Sequence, residues 1–261
     1  PFRIAGLRAT RAAVFPGGLA ILCAVMAELE VESLAVSEGA LRHGVLYDLL
    51  GRVEHRDMRD VPVAQFMRRY QVDAQQAERV RSLALRIYDE LNAGDEDALP
   101  EDDADRLALD WAARLAEAGL AIAHAQYHKH SAYVLSNADM PGFSRMEQQR
   151  LARLVLAHRR KLSKVQDAGI EERDWVLVFA LRLATLVQRN RSATALPPLR
   201  VSADSFGFTV ELARDWLDAN PLTEAALAEE AALWRAIGMK YLVTPVSERR
   251  AAELARLEVV E

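Results

Sequence analysis

Histidine side chains are concentrated in one part of this chain, residues 124–164. His124, His128 and His130 fall within seven residues, and His158 follows in a predicted helix. Imidazoles can move protons, bind metals or donate hydrogen bonds, and they gain charge below roughly pH 6.5. Three histidines so close in one segment rarely converge on a single ion, so we predict no metal site here.

The same stretch is strongly basic within an acidic protein. It carries eight Lys and Arg residues against two acids, a local charge of about +6, whereas the 261-residue chain has a net charge of −5. Guanidinium groups bind phosphate oxygens through paired hydrogen bonds, so the stretch predicts an anionic ligand. Its basic residues are Lys129, Arg145, Arg150, Arg153, Arg159, Arg160, Lys161 and Lys164.

A helix must carry the second half of this stretch. Ser144 and Glu147 have the spacing of a capping box, in which each side chain bonds the backbone of the other residue. His158 shares the apolar face of this helix and is predicted to point inward, where a core histidine is the alternative to a functional one. Four cations are predicted on a separate face, as a binding stripe or as a solvated surface. They are Arg150, Arg153, Arg160 and Lys164.

Composition excludes several classes of protein. Hydrophobic residues make up 51% and charged residues 27%, as in soluble globular proteins, and no apolar run is long enough to span a membrane. We predict a cytoplasmic protein in which the single Cys23 is a small core residue. The net negative charge and the few aromatics in the basic stretch argue against nucleic-acid binding. Because the chain begins with proline, we predict that it is part of a longer protein.

The first third of the chain is predicted to change from α/β to helical structure. Pro16 begins an apolar helix, residues 33–37 form a strand, and residues 40–50 form a second helix. One strand is not a sheet, so its partners must come from elsewhere. Residues 53–62 are charged and read as a linker.

Helical periodicity dominates the middle of the chain, and a small α+β unit follows. The helix over 106–123 has a core face that includes Ile122. In the last part, Thr223 is predicted to cap a helix whose exposed acidic side includes Glu230. The other predicted helices cover 63–70, a long segment capped by Asp73, and 174–189, and the predicted strands cover 200–203, 206–211 and 240–246.

Three motifs resemble the exopolyphosphatase / guanosine pentaphosphate phosphatase family. The resemblance covers essentially the whole chain, and the second and third motifs are long and specific. They are residues 11–22 (RAAVFPGGLAIL), 37–52 (SEGALRHGVLYDLLGR) and 130–143 (HSAYVLSNADMPGF), the last continuing to His158, Arg159 and Arg160, with support from 181–191 (LRLATLVQRNR).

The resemblance implies a mainly α chain in three parts. Residues 1–55 would be the tail of a second actin-like (ribonuclease H-like) α/β domain. Residues 62–190 would be an HD-like helical domain, and 191–261 a small α+β domain. The family's catalytic residues and its Mg²⁺ site belong to an N-terminal half outside this chain. We therefore assign no catalytic residue or metal ligand here, and we expect the chain alone to be inactive and to form a homodimer.

The implied activity is release of terminal phosphate from inorganic polyphosphate, with this chain forming the polyphosphate channel. A polyanion needs many cations along its path, and its affinity should depend on salt. For each candidate, a surface charge or a core histidine is the alternative interpretation. The predicted substrate-binding residues are Arg11, His124, Lys129, His130, Arg159 and Arg160.

Two departures from the family pattern narrow the choice of function. HD enzymes bind metal through a His-Asp pair, and this chain has Ala116 and Glu117 at that position, which argues against a live HD phosphohydrolase acting on nucleotides. Asn220 stands where the family often has histidine, so we assign no chemistry to that position. The alternatives that stay open are a guanosine pentaphosphate phosphatase and a non-catalytic module for polyanion binding or dimerisation.

Overall fold

The computed structural model of the chain describes residues 9–34, 57–93, 104–166, 169–191, 199–247 and 250. The chain divides into two compact units, Pro1–Leu49 and Leu50–Glu261. The second unit is mainly helical and carries a small sheet near its C-terminal end. Within the described ranges, every helix is too short or too polar to cross a membrane.

Two helices are described in the first unit, α1 (Ala9–Ala12) and α2 (Phe15–Glu28). Pro16 lies in the first turn of α2, as predicted, because its missing N–H has no partner to lose there. Cys23 is exposed, so the prediction of a core cysteine is wrong for this unit. Residues 33 and 34 do not form a strand, whereas residues 35–37 and the helix predicted over 40–50 lie outside the described residues.

Local capping signals set the starts of two long helices in the second unit. The Asp73 carboxylate accepts the backbone N–H groups of Gln75 and Gln76 at 3.0 and 3.1 Å. Ser144 and Glu147 form the predicted capping box. The helices are α3 (Asp60–Arg69), α4 (Ala74–Asn92), α5 (Ala104–Leu115), α6 (Tyr127–Asn137), α7 (Arg145–Ala157), α8 (Ser163–Gln166) and α9 (Asp174–Val187).

The helix predicted over 106–123 is shorter in the structure. It ends at Leu115, and a 3₁₀ turn follows at Ala118–Ala121. The Ala116 carbonyl accepts a hydrogen bond from the Ser131 hydroxyl at 2.8 Å, which satisfies the helix end from outside the helix. Ile122 is consequently 52% exposed and not part of a core face. Similarly, α3 begins at Asp60, inside the predicted linker.

The sheet lies after α9 and confirms the three predicted strands. β1 (Leu199–Asp204) and β2 (Gly207–Ala213) are antiparallel, and β3 (Lys240–Val246) pairs parallel with β2. The crossover between β2 and β3 passes through α10 (Arg214–Ala219) and α11 (Pro221–Arg235). Helix α11 starts at Pro221, so Thr223 is inside it and is not its cap.

One hydrophobic core joins the helices to the sheet. Phe179 in α9 stacks on Phe208 in β2 with ring centroids 4.1 Å apart. Trp234 in α11 and Tyr241 in β3 complete this aromatic layer. Because α9 is buried along most of its length, it is the central helix that the apolar pattern predicted. The domain boundaries drawn from the sequence stay predictions.

Candidate functional site

Ser131 and Gly119 hold the start of α6 against the turn after α5. Ser131 is fully buried, and its hydroxyl accepts the Gly119 backbone N–H at 2.8 Å. A Cβ atom at Gly119 would lie 2.2 Å from the Tyr127 carbonyl oxygen, so only glycine permits this approach. The contact fixes Tyr127 and His128, which begin α6.

The end of α7 is a backbone corner that carries Arg159 and Arg160. His158 caps the helix, and Arg160 has a left-handed conformation with φ +71°. The buried Arg182 in α9 donates to the Ala157 carbonyl at 2.5 Å and to the Arg160 carbonyl at 3.0 Å. Carbonyls at a helix C-terminus lack partners within the helix, and a cation there is favourable.

A buried cluster of three rings lies next to this corner. The ring of Tyr127 is 5.5 Å from that of His158, and the rings of His128 and His158 are 6.3 Å apart. The guanidinium of Arg159 lies over the Tyr127 ring at 4.6 Å, within range of a cation–π interaction. The His124 ring is 6.4 Å from that of Tyr127. We call His124, Tyr127, His128, Lys129, Arg159 and Arg160 the basic corner.

Both buried imidazoles are neutral at pH 7. Burial, together with the charges of Arg159 and Lys129, lowers the pKa of His128 to about 4. Burial lowers the pKa of His158 to about 3, although its hydrogen bond to the Val155 carbonyl opposes the shift. These two histidines therefore do not supply the charge below pH 6.5 that the sequence suggested for this stretch.

The lowered pKa values predict a stability that depends on pH. The unfolded chain binds protons at these histidines near pH 6.5, and the folded chain does not, so stability is lost as pH falls from about 6.5 towards 4. Between about pH 7 and about pH 5, denaturant unfolding should show a loss of about 2 kcal/mol per histidine. His128→Leu should remove about half of this loss. An unchanged pH dependence in that variant would show that His128 is not held neutral.

The structure brings together four of the six predicted binding residues. His124 and Arg159 flank the Tyr127 ring, and the charges of Lys129 and Arg160 act on His128 beside that of Arg159. His124, Lys129 and Arg160 are exposed, and Arg159 is half-buried.

The remaining two predicted residues are His130 and Arg11. The half-buried His130 packs with its Cβ against Gly119. Arg11 is exposed in α1 and belongs to the first unit. For all six residues, binding of substrate stays a prediction.

The basic stripe predicted on α7 is not a continuous surface. Arg150 is mostly buried and pairs with both Asp105 and Asp174. Arg153 is half-buried, and Arg160 lies beyond the helix end at Ala157. The side chain of Lys164 lies outside the described residues. Arg150 is therefore a structural residue, since its charge is already matched by two carboxylates.

Glu117, which follows the end of α5, is held by an ion pair. Arg191 donates to both of its carboxylate oxygens at 2.8 and 2.7 Å and to Asp73 at 3.1 Å. A cavity of about 10 Å³ beside Glu117 and His158 has room for about one water. Among the described residues, no three His, Cys, Asp or Glu side chains stand close enough to bind a metal. The Mg²⁺ site that the motif resemblance implies was assigned to the part of the protein outside this chain, and it stays a prediction.

Sequence reasoning missed two residues that build this site. Arg182 is 2% exposed and pairs with Glu230, which is also buried and not on an exposed acidic side as predicted. The signal was present in the sequence, because a single arginine in an apolar helix must find an acceptor. Tyr127, the ring on which Arg159 lies, was also assigned no role.

Comparison with known families identifies the class of protein to which this fold and site belong. Residues 58–231 match the model described as Ppx/GppA phosphatase, domain III, a range that covers two thirds of the chain. Residues 1–53 match the model described as Ppx/GppA phosphatase family. The chain belongs to the Ppx/GppA phosphatase family, which confirms the resemblance seen in its motifs.

Two of the proteins similar to this chain share one name. The chain is 36% identical over 242 residues to a guanosine-5'-triphosphate,3'-diphosphate pyrophosphatase of Pseudoalteromonas translucida (strain TAC 125), covering 91% of this chain and 48% of that protein. A protein of the same name from Vibrio parahaemolyticus serotype O3:K6 is 32% identical over 245 residues, covering 92% and 48%. The chain thus spans about half the length of the relatives it matches.

Proposed function

We propose that this chain is the C-terminal part of a phosphohydrolase that releases terminal phosphate from inorganic polyphosphate. In this proposal the basic corner binds phosphate groups distant from the reacting end. The observation that carries the proposal is the gathering of Lys129, Arg159 and Arg160 around the buried, neutral His128 in a protein of net charge −5. The fold of the basic corner does not require a bound anion. A phosphate chain that approached the corner would find several hydrogen-bond donors and positive charges.

The placement of Arg159 supports this role. Its guanidinium lies over the Tyr127 ring, which limits the side-chain entropy lost when an anion binds. Arg160 is exposed beside it, and its backbone is fixed by Arg182. The guanidinium groups of Arg159 and Arg160 can each bind phosphate oxygens through paired hydrogen bonds.

Further parts of the proposal concern the longer protein. We assign residues 62–190 to the HD-like class of helical domains on the motif resemblance. We assign residues 1–55 to the tail of an actin-like domain on the same resemblance and on the family match of residues 1–53. Catalytic residues and Mg²⁺ would then lie in the part outside this chain, which alone would be inactive. A homodimer is proposed on the same resemblance.

The second candidate substrate is guanosine-5'-triphosphate,3'-diphosphate. The observation that favours it is the name of the relatives at 32–36% identity. Against it, the largest ring in the basic corner, Tyr127, is buried and covered by Arg159, which leaves only the smaller ring of His124 exposed for stacking on guanine. Both substrates carry phosphoanhydride chains, so the same cations serve either one.

Polyphosphate binding tests the proposal. Long-chain polyphosphate is titrated into the chain and into Arg159→Ala and Arg160→Ala, at about 50 and about 200 mM salt. We expect each variant to weaken binding at least about tenfold at the lower salt, because each loses charge-assisted hydrogen bonds. The salt dependence should also become shallower, since fewer counterions are released.

Arg145→Ala is the matched control. It removes the same charge from the other end of α7, about 20 Å away along the helix, and should bind like the parent chain. Equal weakening in all three variants would mean that only net charge matters, and unchanged binding in the Arg159 and Arg160 variants would refute the site. Displacement of polyphosphate by guanosine-5'-triphosphate,3'-diphosphate at comparable concentration would favour the second candidate.

A further inference from the structure

We propose that Arg182 and Glu230 are a positioning pair, through which the C-terminal α+β layer sets the geometry of the basic corner. The inference rests on the proposed function, because it concerns how Arg159 and Arg160 are presented to phosphate. Neither Arg182 nor Glu230 is placed in contact with substrate. Each is buried, and they act through the backbone of the corner.

The contacts of Arg182 form a bridge between two parts of the fold. Its Nε and Nη2 atoms donate to the two carboxylate oxygens of Glu230 at 2.5 and 2.8 Å. Its Nη1 and Nη2 atoms donate to the carbonyls of Ala157 and Arg160 at 2.5 and 3.0 Å. One guanidinium therefore binds the backbone on both sides of Arg159 and, at the same time, a carboxylate of α11.

Only arginine can make this set of bonds. Its planar fork offers five donors in fixed directions, whereas the ammonium group of lysine is a single point on a flexible stem. The bond to Arg160 also supports a strained residue, because a backbone φ of +71° is unfavourable for any residue that carries a Cβ atom. Loss of this bond would remove a contact that holds the Arg160 backbone in place.

Glu230 is itself fixed by the core of the sheet. Trp234, one turn later in α11, is fully buried and donates its Nε1 proton to Glu230 at 2.7 Å. The Trp234 ring packs against Phe179 and Phe208. A line of contacts thus runs from the aromatic layer through Trp234, Glu230 and Arg182 to the corner.

A paired replacement separates positioning from simple stability. Arg182→Met/Glu230→Leu removes both charges together, so neither is left buried without its partner. Arg182→Lys is the second variant, since it keeps a cation beside Glu230 if the first fails to fold, but it cannot bond Glu230 and both corner carbonyls at once. Thermal unfolding first gives a temperature at which every variant is folded. At that temperature both variants are compared with Arg159→Ala/Arg160→Ala.

Two readouts are taken on each folded variant. The affinity for long-chain polyphosphate should fall at least about tenfold. The dependence of this affinity on salt concentration should become as shallow as in Arg159→Ala/Arg160→Ala. Combining the two double variants should cause no further loss, because both act on the same contacts. Hydrogen exchange of the backbone over 158–162 should accelerate at least about tenfold, while that of α9 stays unchanged.

The outcomes distinguish this inference from the proposed function. If the folded positioning variants bind polyphosphate like the parent chain while Arg159→Ala/Arg160→Ala binds weakly, the pair is only structural and this inference is wrong, but the proposed function stands. Unchanged exchange over 158–162 would likewise overturn the inference alone. If Arg159→Ala/Arg160→Ala itself binds like the parent chain, the proposed function and this inference are both wrong.

Discussion

Replacing Gly119 by alanine is expected to destabilise the second unit by at least about 3 kcal/mol. The added Cβ would lie 2.2 Å from the Tyr127 carbonyl oxygen and 2.5 Å from the Ser131 backbone nitrogen. Both are backbone atoms of α6, so no flexible side chain can move aside. Helix α6 would have to shift, and the buried hydrogen bonds of Ser131 to Gly119 and Ala116 would stretch with it.

Denaturant unfolding measures this loss, and Gly18→Ala is the control. Gly18 lies inside α2 with no atom within 4 Å of an added Cβ, so alanine there should be neutral or stabilising by up to about 1 kcal/mol. The same shift of α6 should move Tyr127 and His128, and therefore weaken polyphosphate binding at temperatures where the variant is folded. An unfolding midpoint equal to that of the parent chain would show that α6 does not approach Gly119 so closely.

Local sequence rules were sufficient for most of the secondary structure. The starts of α4 and α7 follow from Asp73 and Ser144, whose side chains bond backbone groups within three residues. The three strands follow from short apolar runs separated by turns. Such signals are complete within a few residues, so no knowledge of the tertiary fold is required.

Most of the errors share a physical cause, which is a partner distant in the sequence. The end of α5 is set by Ser131, 15 residues after the carbonyl it binds. Glu230 is buried because Arg182, 48 residues earlier, lies opposite it. The error at Thr223 has a different cause. The helix begins at Pro221, because proline is favoured in the first turn of a helix, and this signal is local in the sequence.

The candidate site was predictable only in part for the same reason. The basic stretch contains His124, Lys129, Arg159 and Arg160, which the structure places near Tyr127 and His128. Helical spacing alone put Arg150 and Arg160 on one stripe, but α7 ends before Arg160. The local excess of positive charge predicts that the binding residues lie within 124–164. Only the tertiary fold shows which of these cations are exposed and which are already paired with carboxylates.

Arg150→Met is expected to destabilise the protein by about 3–5 kcal/mol, because it leaves a buried carboxylate without its cation. Arg150 donates to Asp174 Oδ1 through Nε at 2.9 Å and Nη2 at 2.6 Å, and to Asp105 at 2.5 Å. Asp174 is 0% exposed, and its Oδ2 atom has no hydrogen-bond partner among the described residues. Asp105 stays partly solvated, so most of the loss comes from Asp174.

A second substitution should restore much of this stability. Arg150→Met/Asp174→Asn removes the unpaired charge but keeps a polar side chain in the first turn of α9, where a partial positive charge accumulates. Arg145→Met, an exposed change in the first turn of α7, should alter stability by less than about 0.5 kcal/mol. Thermal and denaturant unfolding of the four chains give the comparison.

Polyphosphate affinity of the same variants decides whether Arg150 belongs to the structure or to the site. If it is structural, the folded Arg150→Met/Asp174→Asn chain should bind polyphosphate as tightly as the parent chain, although it has lost one of the eight cations of the basic stretch. Weakened binding with little change in stability would reverse the assignment. It would mean that the ion pairs of Arg150 with Asp105 and Asp174 open to admit phosphate, and that the binding surface extends along α7 as its sequence first suggested.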